Sequence, residues 1–321
     1  MKQFLSCDWG TSSLRLRLAD TGDGKILAEA RSAEGIAHTF EQWQLSGLPE
    51  DKKAGFYLDV IDRQVKMLEK QVRQPLNNLP LVLSGMASSS IGFIDLPYTS
   101  MPFNIDGRGV TTAWVTANEA FDHDVLIISG ARTNGDVMRG EETQLIGSVA
   151  PGQTVKNELF IFPGTHSKHI VVKNNEAVKL KTYMTGEVFS LLAQNSILKN
   201  SVEAGPFNAA AFTQGLTDAA TDDLLHLIFK VRTNGLFNIR AKNENYHYLS
   251  GLLIGSELNA LASSDVEATN LVSGTELQLS YQIALTELAP GKKLSVFSPQ
   301  QADQTTVRGQ LVIAKQLKIW T

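Results

Sequence analysis

Only one cysteine, Cys7, occurs in the chain, which excludes an intramolecular disulfide framework and any metal site built on clustered cysteines. No uninterrupted apolar run approaches the ~20 residues that a membrane span needs. The opening segment, Met1-Lys2-Gln3-Phe4-Leu5, meets the acidic Asp8 before a signal-peptide apolar core can form. A cytoplasmic protein without a membrane partner is therefore expected. Neither sign of charge dominates, since 29 basic and 33 acidic side chains leave a net charge of −4. Without a basic field, nucleic acid is not an expected partner. Familiar site motifs are missing too. No segment fits G-x-x-x-x-G-K-S/T, a Rossmann G-x-G-x-x-G at a strand-to-helix turn, H-E-x-x-H or G-x-S-x-G, which sets aside a P-loop enzyme, a dehydrogenase, a zincin and an α/β-hydrolase.

What is present suffices for two globular domains: 321 residues, 43% hydrophobic and 19% charged. Phe4–Cys7 is a short apolar strand, Asp8-Trp9-Gly10-Thr11-Ser12-Ser13 a polar turn, and Leu14–Leu18 alternates with period two, as a half-buried strand does. Thr21-Gly22-Asp23-Gly24 is a turn by composition, and Lys25–Ala30 is the third strand. Apolar residues Tyr57, Ile61, Val65, Leu68 and Val72 predict an amphipathic helix over Lys53–Arg73. Short apolar strands follow at Leu79–Leu83 and Val125–Ile128.

The opening pattern then recurs. Glu158–Phe162 runs into Pro163-Gly164-Thr165-His166-Ser167-Lys168, followed by strand His169–Lys173, turn Asn174-Asn175-Glu176 and strand Ala177–Tyr183. A helix over Glu187–Leu198 follows, as one follows the first meander. Two meanders with matching Gly-Thr-x-Ser turns predict an internally duplicated α/β architecture, divided between Thr112 and Asp124 into domains 1–118 and 119–321. Further helices are expected at Asp222–Val231, Tyr248–Leu261 (where Gly251 and Gly255 let another backbone approach) and Glu276–Leu288. The stretch Leu294–Thr321 declares nothing by pattern.

Chemically, the two turns suit phosphate. Glycine allows backbone N–H groups to approach phosphate oxygens, and threonine and serine add donors. Gly10, Thr11, Ser12 and Ser13 form one candidate cradle; Gly164, Thr165, Ser167 and Lys168 form the other. Asp8, ending the first strand, is placed to hold Mg²⁺ directly or through water.

At this point the residues resemble a family. Asp8-Trp9-Gly10-Thr11-Ser12-Ser13-Leu14-Arg15 looks like the first phosphate motif of sugar kinases in the actin/hexokinase/Hsp70 superfamily. Asp136-Val137-Met138-Arg139-Gly140-Glu141-Glu142-Thr143-Gln144 is similar to the signature of the 2-dehydro-3-deoxygalactonokinases, as are Phe162–Lys168, Met184-Thr185-Gly186-Glu187 and Tyr248–Gly255. The resemblance implies two actin-like, ribonuclease H-like domains related by duplication, with an ATP cleft between the two and ATP and Mg²⁺ as cofactors. It implies transfer of the γ-phosphoryl group to the 6-hydroxyl of 2-dehydro-3-deoxy-D-galactonate, with Ser273 and Gly274 bordering the adenine. The family shows Gly-Ser-x-x-Gly-Trp and Glu-Ala-Pro-Tyr where this chain has Ala87–Phe93 and Asp95-Leu96-Pro97-Tyr98. That departure leaves the exact sugar acid open.

Phosphoryl transfer relies on positioning and charge neutralisation, with a carboxylate to accept the hydroxyl proton. Candidates for that base are Glu141, Glu142 and Asp136. Arg132 and Arg139 are candidate grips for the substrate carboxylate, and Gly85, ending a strand, lines the same region. Trp9 is expected in the core, Cys7 is expected to be inert, and His166 is expected to be structural. Two rivals stand beside this reading: a kinase for another sugar or amino sugar, and a silent actin-like nucleotide-binding regulator. The oligomeric state is left open, a homodimer included.

Overall fold

The computed structural model describes residues 2–319. The first part of the chain contains β1 (Gln3–Trp9), β2 (Leu14–Asp20), β3 (Ile26–Ser32), α1 (Ile36–Ser46), α2 (Lys53–Val72) and β4 (Leu81–Gly85). Next come β5 (Thr99–Ser100), β6 (Phe103–Asn104), β7 (Thr112–Val115), β8 (Val125–Ile128), β9 (Ala131–Arg132), β10 (Val137–Met138) and α3 (Glu141–Ser148). The second meander is β11 (Asn157–Phe162), β12 (Ser167–Lys173) and β13 (Glu176–Tyr183), followed by α4 (Thr185–Asn195), α5 (Ala209–Asp218), α6 (Leu224–Leu236) and α7 (Lys242–Leu258). The chain closes with β14 (Ala268–Leu271), α8 (Thr275–Leu288), β15 (Lys293–Val296) and α9 (Pro299–Gln316).

Two compact units result. One holds the chain as far as Val155, Asn174–Leu180 and the segment from Asp303 onward; the other holds Lys156–Lys173 and Lys181–Ala302. The division thus falls later than 118/119. The reason is that β8 lies parallel to β4 and antiparallel to β7, so residues up to Ile128 complete the first sheet instead of opening the second.

The first unit's sheet runs β3-β2-β1-β4-β8-β7, with β1 antiparallel to β2 and parallel to β4. In the second unit β11 is antiparallel to β12 and parallel to β14, and β14 is parallel to β15. Each unit therefore carries an antiparallel hairpin continued by parallel strands on its first strand's other side. This is the ribonuclease H-like order, present once per unit, as the duplicated turns predict. At the second meander's tight turn Asn174 and Asn175 both have positive φ, 50° and 64°, the conformation a two-residue hairpin needs and asparagine tolerates.

The first unit's core lies between its sheet and α2, where Trp9 and Tyr57 meet with ring centroids 5.6 Å apart. Cys7 is buried there, and burial pushes its thiol well above its ordinary value. In the second unit α5 packs on α7 closely enough that a side chain at Gly251 would overlap the Phe212 carbonyl, as the Gly251/Gly255 spacing predicts. Among the described residues no helix is long and apolar enough to cross a membrane.

The undeclared C-terminal stretch becomes β15 and α9, and α9 returns to the first unit. Gln310 donates from Nε2 to the Cys7 carbonyl and to Ser84 Oγ, both at 2.9 Å. Asp303 accepts from the fully buried Arg17 at 2.6 Å and from Arg15 at 3.3 Å. Gly147 of α3 and Gly309 of α9 face each other's helix so closely that a Cβ on either would overlap a backbone carbonyl, of Thr305 or Thr143. Gly309→Ala should therefore lower unfolding free energy by about 1–3 kcal/mol, the usual cost of overpacking. Denaturant titration checks this, and an unchanged midpoint would contradict the contact.

Candidate active site

Parallel strands β1, β4 and β8 end side by side, presenting Asp8-Trp9-Gly10, Ser84-Gly85 and Ser129-Gly130 at one edge of the first sheet. Ligands of open α/β sheets bind at these carboxyl ends. Asp8 stands opposite Arg15 on β2 and Ser84 on β4. Burial pushes its carboxyl above the ordinary value, against the pull of Arg17 and Arg15. Gly85 has φ 89°, and a side chain there would come within 2.8 Å of the Trp9 carbonyl oxygen. Gly140, at φ 107°, lies against Gly85, its would-be Cβ 3.7 Å from the Gly85 Cα. Both positions need conformations that L side chains resist.

The first turn is held by its own backbone and by α1. Gly10 N–H donates to the Ser13 carbonyl at 2.9 Å, while Ile36 and Ala37 N–H groups reach the Gly10 and Thr11 carbonyls at 2.9 and 3.1 Å. Gly35, just before α1, sits on the backbone of Thr11 and Ser12 with no room for a side chain. Trp9, fully buried, donates from Nε1 to the Glu34 carbonyl at 2.8 Å and fixes the same approach. Thr11, Ser12 and Ser13 remain exposed.

The second unit repeats this seat. β11 runs into Pro163-Gly164-Thr165; Glu187 N–H donates to the Thr165 carbonyl at 3.0 Å, and a side chain at Gly186, at the start of α4, would overlap the Gly164 carbonyl. Thr165 is exposed, as is His166, which pairs with Glu187. Ser167 and Lys168 are buried, and the Ser167 hydroxyl donates inward to Glu257 Oε1 at 2.7 Å. Because β14 pairs with β11 (Ile161 opposite Leu271), the loop after β14 emerges beside this turn. There Ser273 is buried and donates to the Gly274 carbonyl at 3.1 Å, while Gly274 is exposed with open space around it at the head of α8.

A hairpin leads from β8 to α3. Arg132 and Val137 pair across it, closed by Thr133 N–H donating to the Asp136 carbonyl at 2.9 Å. Arg132 is exposed and Asp136 partly so, its Oδ1 accepting from Val137 N–H at 2.8 Å. Arg139 is engaged within the protein: Nε donates to Tyr98 OH at 3.1 Å, Nη1 to Ser88 Oγ at 2.8 Å and to the Ser88 carbonyl, and the guanidinium lies 4.2 Å from the Tyr98 ring centre. It thereby fixes the 87–98 segment. Ser88 and Tyr98 are site neighbours that motif reading did not assign.

The two glutamates after Gly140 differ in environment. Glu142 is buried, taking the Gly140 N–H on both oxygens at 3.0 and 2.8 Å and the Thr143 hydroxyl at 3.0 Å. Burial and the neighbouring Glu141 charge push its carboxyl from the ordinary 4.5 up to about 8, despite those donors. Glu141 is partly exposed and accepts the Arg139 N–H at 3.1 Å. In the second unit Glu257 shows the opposite balance. Burial pushes it up, but bonds from His169, Thr185 and Ser167 outweigh burial and hold it below its ordinary value.

Comparison with known proteins finds relatives in sequence and in fold. The pattern of one family, described as 2-keto-3-deoxy-galactonokinase, matches residues 8–312. A protein of Rhizobium meliloti described as a probable 2-dehydro-3-deoxygalactonokinase is 34% identical over 296 residues, covering 88% of each chain. The 2-dehydro-3-deoxygalactonokinase of Escherichia coli is 32% identical over 238 residues, 71% of this chain and 77% of that one. A crystal structure from Sinorhizobium meliloti, described as of a protein of the same kind, superposes with a TM-score of 0.80 at 30% identity, covering 99% and 98% of the two chains.

The Glu142 shift carries a sign. A carboxyl raised on folding adds stability that is complete below its ordinary value and is lost as pH rises through the folded value. From about pH 5 to about pH 9, unfolding free energy should fall for the native protein relative to Glu142→Gln. Parallel pH profiles for the two proteins in denaturant titrations would contradict a raised Glu142.

Proposed function

The chain belongs to the 2-keto-3-deoxy-galactonokinase family, and on that premise we propose that it transfers the γ-phosphoryl group of ATP to the 6-hydroxyl of 2-dehydro-3-deoxy-D-galactonate. The reaction is a step of galactonate breakdown, placed here in the cytoplasm. The observation that carries this reading is the repeated seat. In both units an exposed Gly-Thr turn at a strand's carboxyl end is fixed by the N-terminus of the following helix. Backbone N–H groups and the hydroxyls of Thr11, Ser12, Ser13 and Thr165 then face phosphate oxygens, with Gly10 and Gly164 keeping the approach clear. Ser273 and Gly274 border the adenosine.

Mg²⁺ fits the residues present. Among the described residues no group of three or more His, Cys, Asp or Glu side chains could hold a metal alone. Mg²⁺ suits such a site, because it commonly takes one or two carboxylates and fills its remaining positions with water and phosphate. Asp8 would hold it, and a cation there offsets the burial that otherwise disfavours the Asp8 charge. When bound, the ion neutralises charge on the phosphate oxygens.

For the base, exposure favours Glu141 over Glu142. The buried Glu142, raised to about 8, is a neutral acid at pH 7 that braces the Gly140 turn. Glu141, at the start of α3, accepts the proton of the attacking hydroxyl, with Asp136 on the neighbouring hairpin as the second candidate. Arg132, exposed beside that hairpin, takes the sugar-acid carboxylate. Arg139 acts on the substrate through the Ser88–Tyr98 segment it clamps, and Gly85 keeps that floor low. Phe93 and Asp95 in this segment are where the chain departs from the family pattern, so the choice of sugar acid is tested along with the chemistry.

ADP release measured with a panel of sugar acids and sugars should be fastest with 2-dehydro-3-deoxy-D-galactonate; equal or faster release with another member would overturn the substrate. Glu141→Gln should lower kcat by roughly 10²–10⁴-fold with sugar-acid KM little changed, the scale of lost general-base catalysis. Asp8→Asn should abolish turnover while leaving the melting temperature near that of the native protein. Full activity of Glu141→Gln alongside an inactive Asp136→Asn would move the base to Asp136.

A further inference from the structure

One buried carboxylate in the second unit collects donors from three elements around the Gly164–Thr165 turn. Glu257, near the end of α7 and fully buried, accepts from Ser167 Oγ at 2.7 Å, and His169 Nε2 stands 2.8 Å from the same oxygen, Oε1. Its other oxygen, Oε2, accepts from Tyr281 OH at 2.7 Å and from the Thr185 hydroxyl. Four donors fill the acceptor capacity of one carboxylate. Their positions in the chain are telling. Ser167 is two residues past Thr165. Thr185 immediately precedes Gly186, whose backbone roofs Gly164, and Glu187, whose N–H holds the Thr165 carbonyl. Tyr281 is on α8, the helix headed by Ser273 and Gly274.

We infer that Glu257 is a positioning residue for nucleotide binding: it locks β12, α4 and α8 into the one arrangement that sets the Gly164–Thr165 turn for phosphate and the Ser273–Gly274 loop for adenosine. The inference rests on the phosphate reading of that turn. Glu257 itself touches no ligand. Its carboxylate matters because each of the three elements supplies a hydroxyl that donates to it, and an unmade buried hydrogen bond is costly. Loss of one bond therefore frees the turn's anchors instead of merely loosening α7.

Binding of the ATP analogue AMP-PNP to the full-length protein, measured by calorimetry without sugar acid, tests this. Thr185→Val removes one donor at nearly constant volume, and Glu257→Gln removes the charge; each should raise the Kd for AMP-PNP roughly tenfold, the scale of one or two lost buried hydrogen bonds. Thr185→Ser should restore the native Kd, and in turnover assays the sugar-acid KM should stay unchanged in all three. Asn245→Ala is the structural comparison. Asn245 is a buried amide on the same helix, bonded to the Ser201 and Val231 carbonyls at 3.1 and 3.2 Å, so its loss should lower the melting temperature without moving the Kd. Thr165→Val separates the two ideas. If it weakens AMP-PNP binding and Thr185→Val does not, positioning by Glu257 is overturned while the phosphate turn stands. If neither affects binding, the phosphate reading falls and takes the inference with it.

Discussion

The contact on which the site depends is a backbone seat, made twice, with no side chain in it. A loop proposed to offer N–H groups to phosphate is best held through its carbonyls, and here carbonyls carry the contacts to the next helix, although the Gly10 N–H is spent on the Ser13 carbonyl. In the first unit the Gly10 and Thr11 carbonyls accept from Ile36 and Ala37; in the second the Thr165 carbonyl accepts from Glu187. The donors are N–H groups at helix starts, which lack partners within their own helix. Holding carbonyl and helix start this close leaves no space for a Cβ at Gly35 or Gly186. The turn, the glycine after the meander and the helix start are thus one device.

Around the first turn the protein handles carboxylates by three different environments. Asp8 is desolvated beside two arginines, Glu142 is buried with the Gly140 N–H and a threonine hydroxyl, and Glu141 is partly exposed. Adjacent acids here sit in opposed environments, Glu142 buried and bracing the loop, Glu141 partly exposed. Arg17 shows how far the first unit supports this edge from behind. It is fully buried and paired with Glu29 at 2.6 Å and with Asp303 on α9, so a helix near the end of the sequence helps set the field at Asp8.

Much of this was legible in the sequence because it is local. Period-two alternation gave β2, apolar spacing gave α2, and the paired Gly-Thr turns gave the duplication. Elements whose inward faces mix polar with apolar residues were harder to read. Helix α9 buries Val307, Leu311 and Ala314 but sets Thr305, Thr306 and Gln310 among them, and α1 buries only Ile36 and Thr39, so the apolar spacing of each is diluted. The boundary expected at 118/119 differs from the observed division because nothing in the strand at Val125–Ile128 says which sheet it joins. Ser167 reads as a turn hydroxyl, yet its side chain faces Glu257, a partner 90 residues away that no local pattern names.

That both units handle phosphate is the central claim, and amide hydrogen exchange read by mass spectrometry tests it most directly. On addition of AMP-PNP, peptides covering Gly10–Ser13 and Gly164–Ser167 should both exchange more slowly, since N–H groups of the two turns would then be bonded to phosphate. Protection confined to one turn, or absent from both, would contradict the claim.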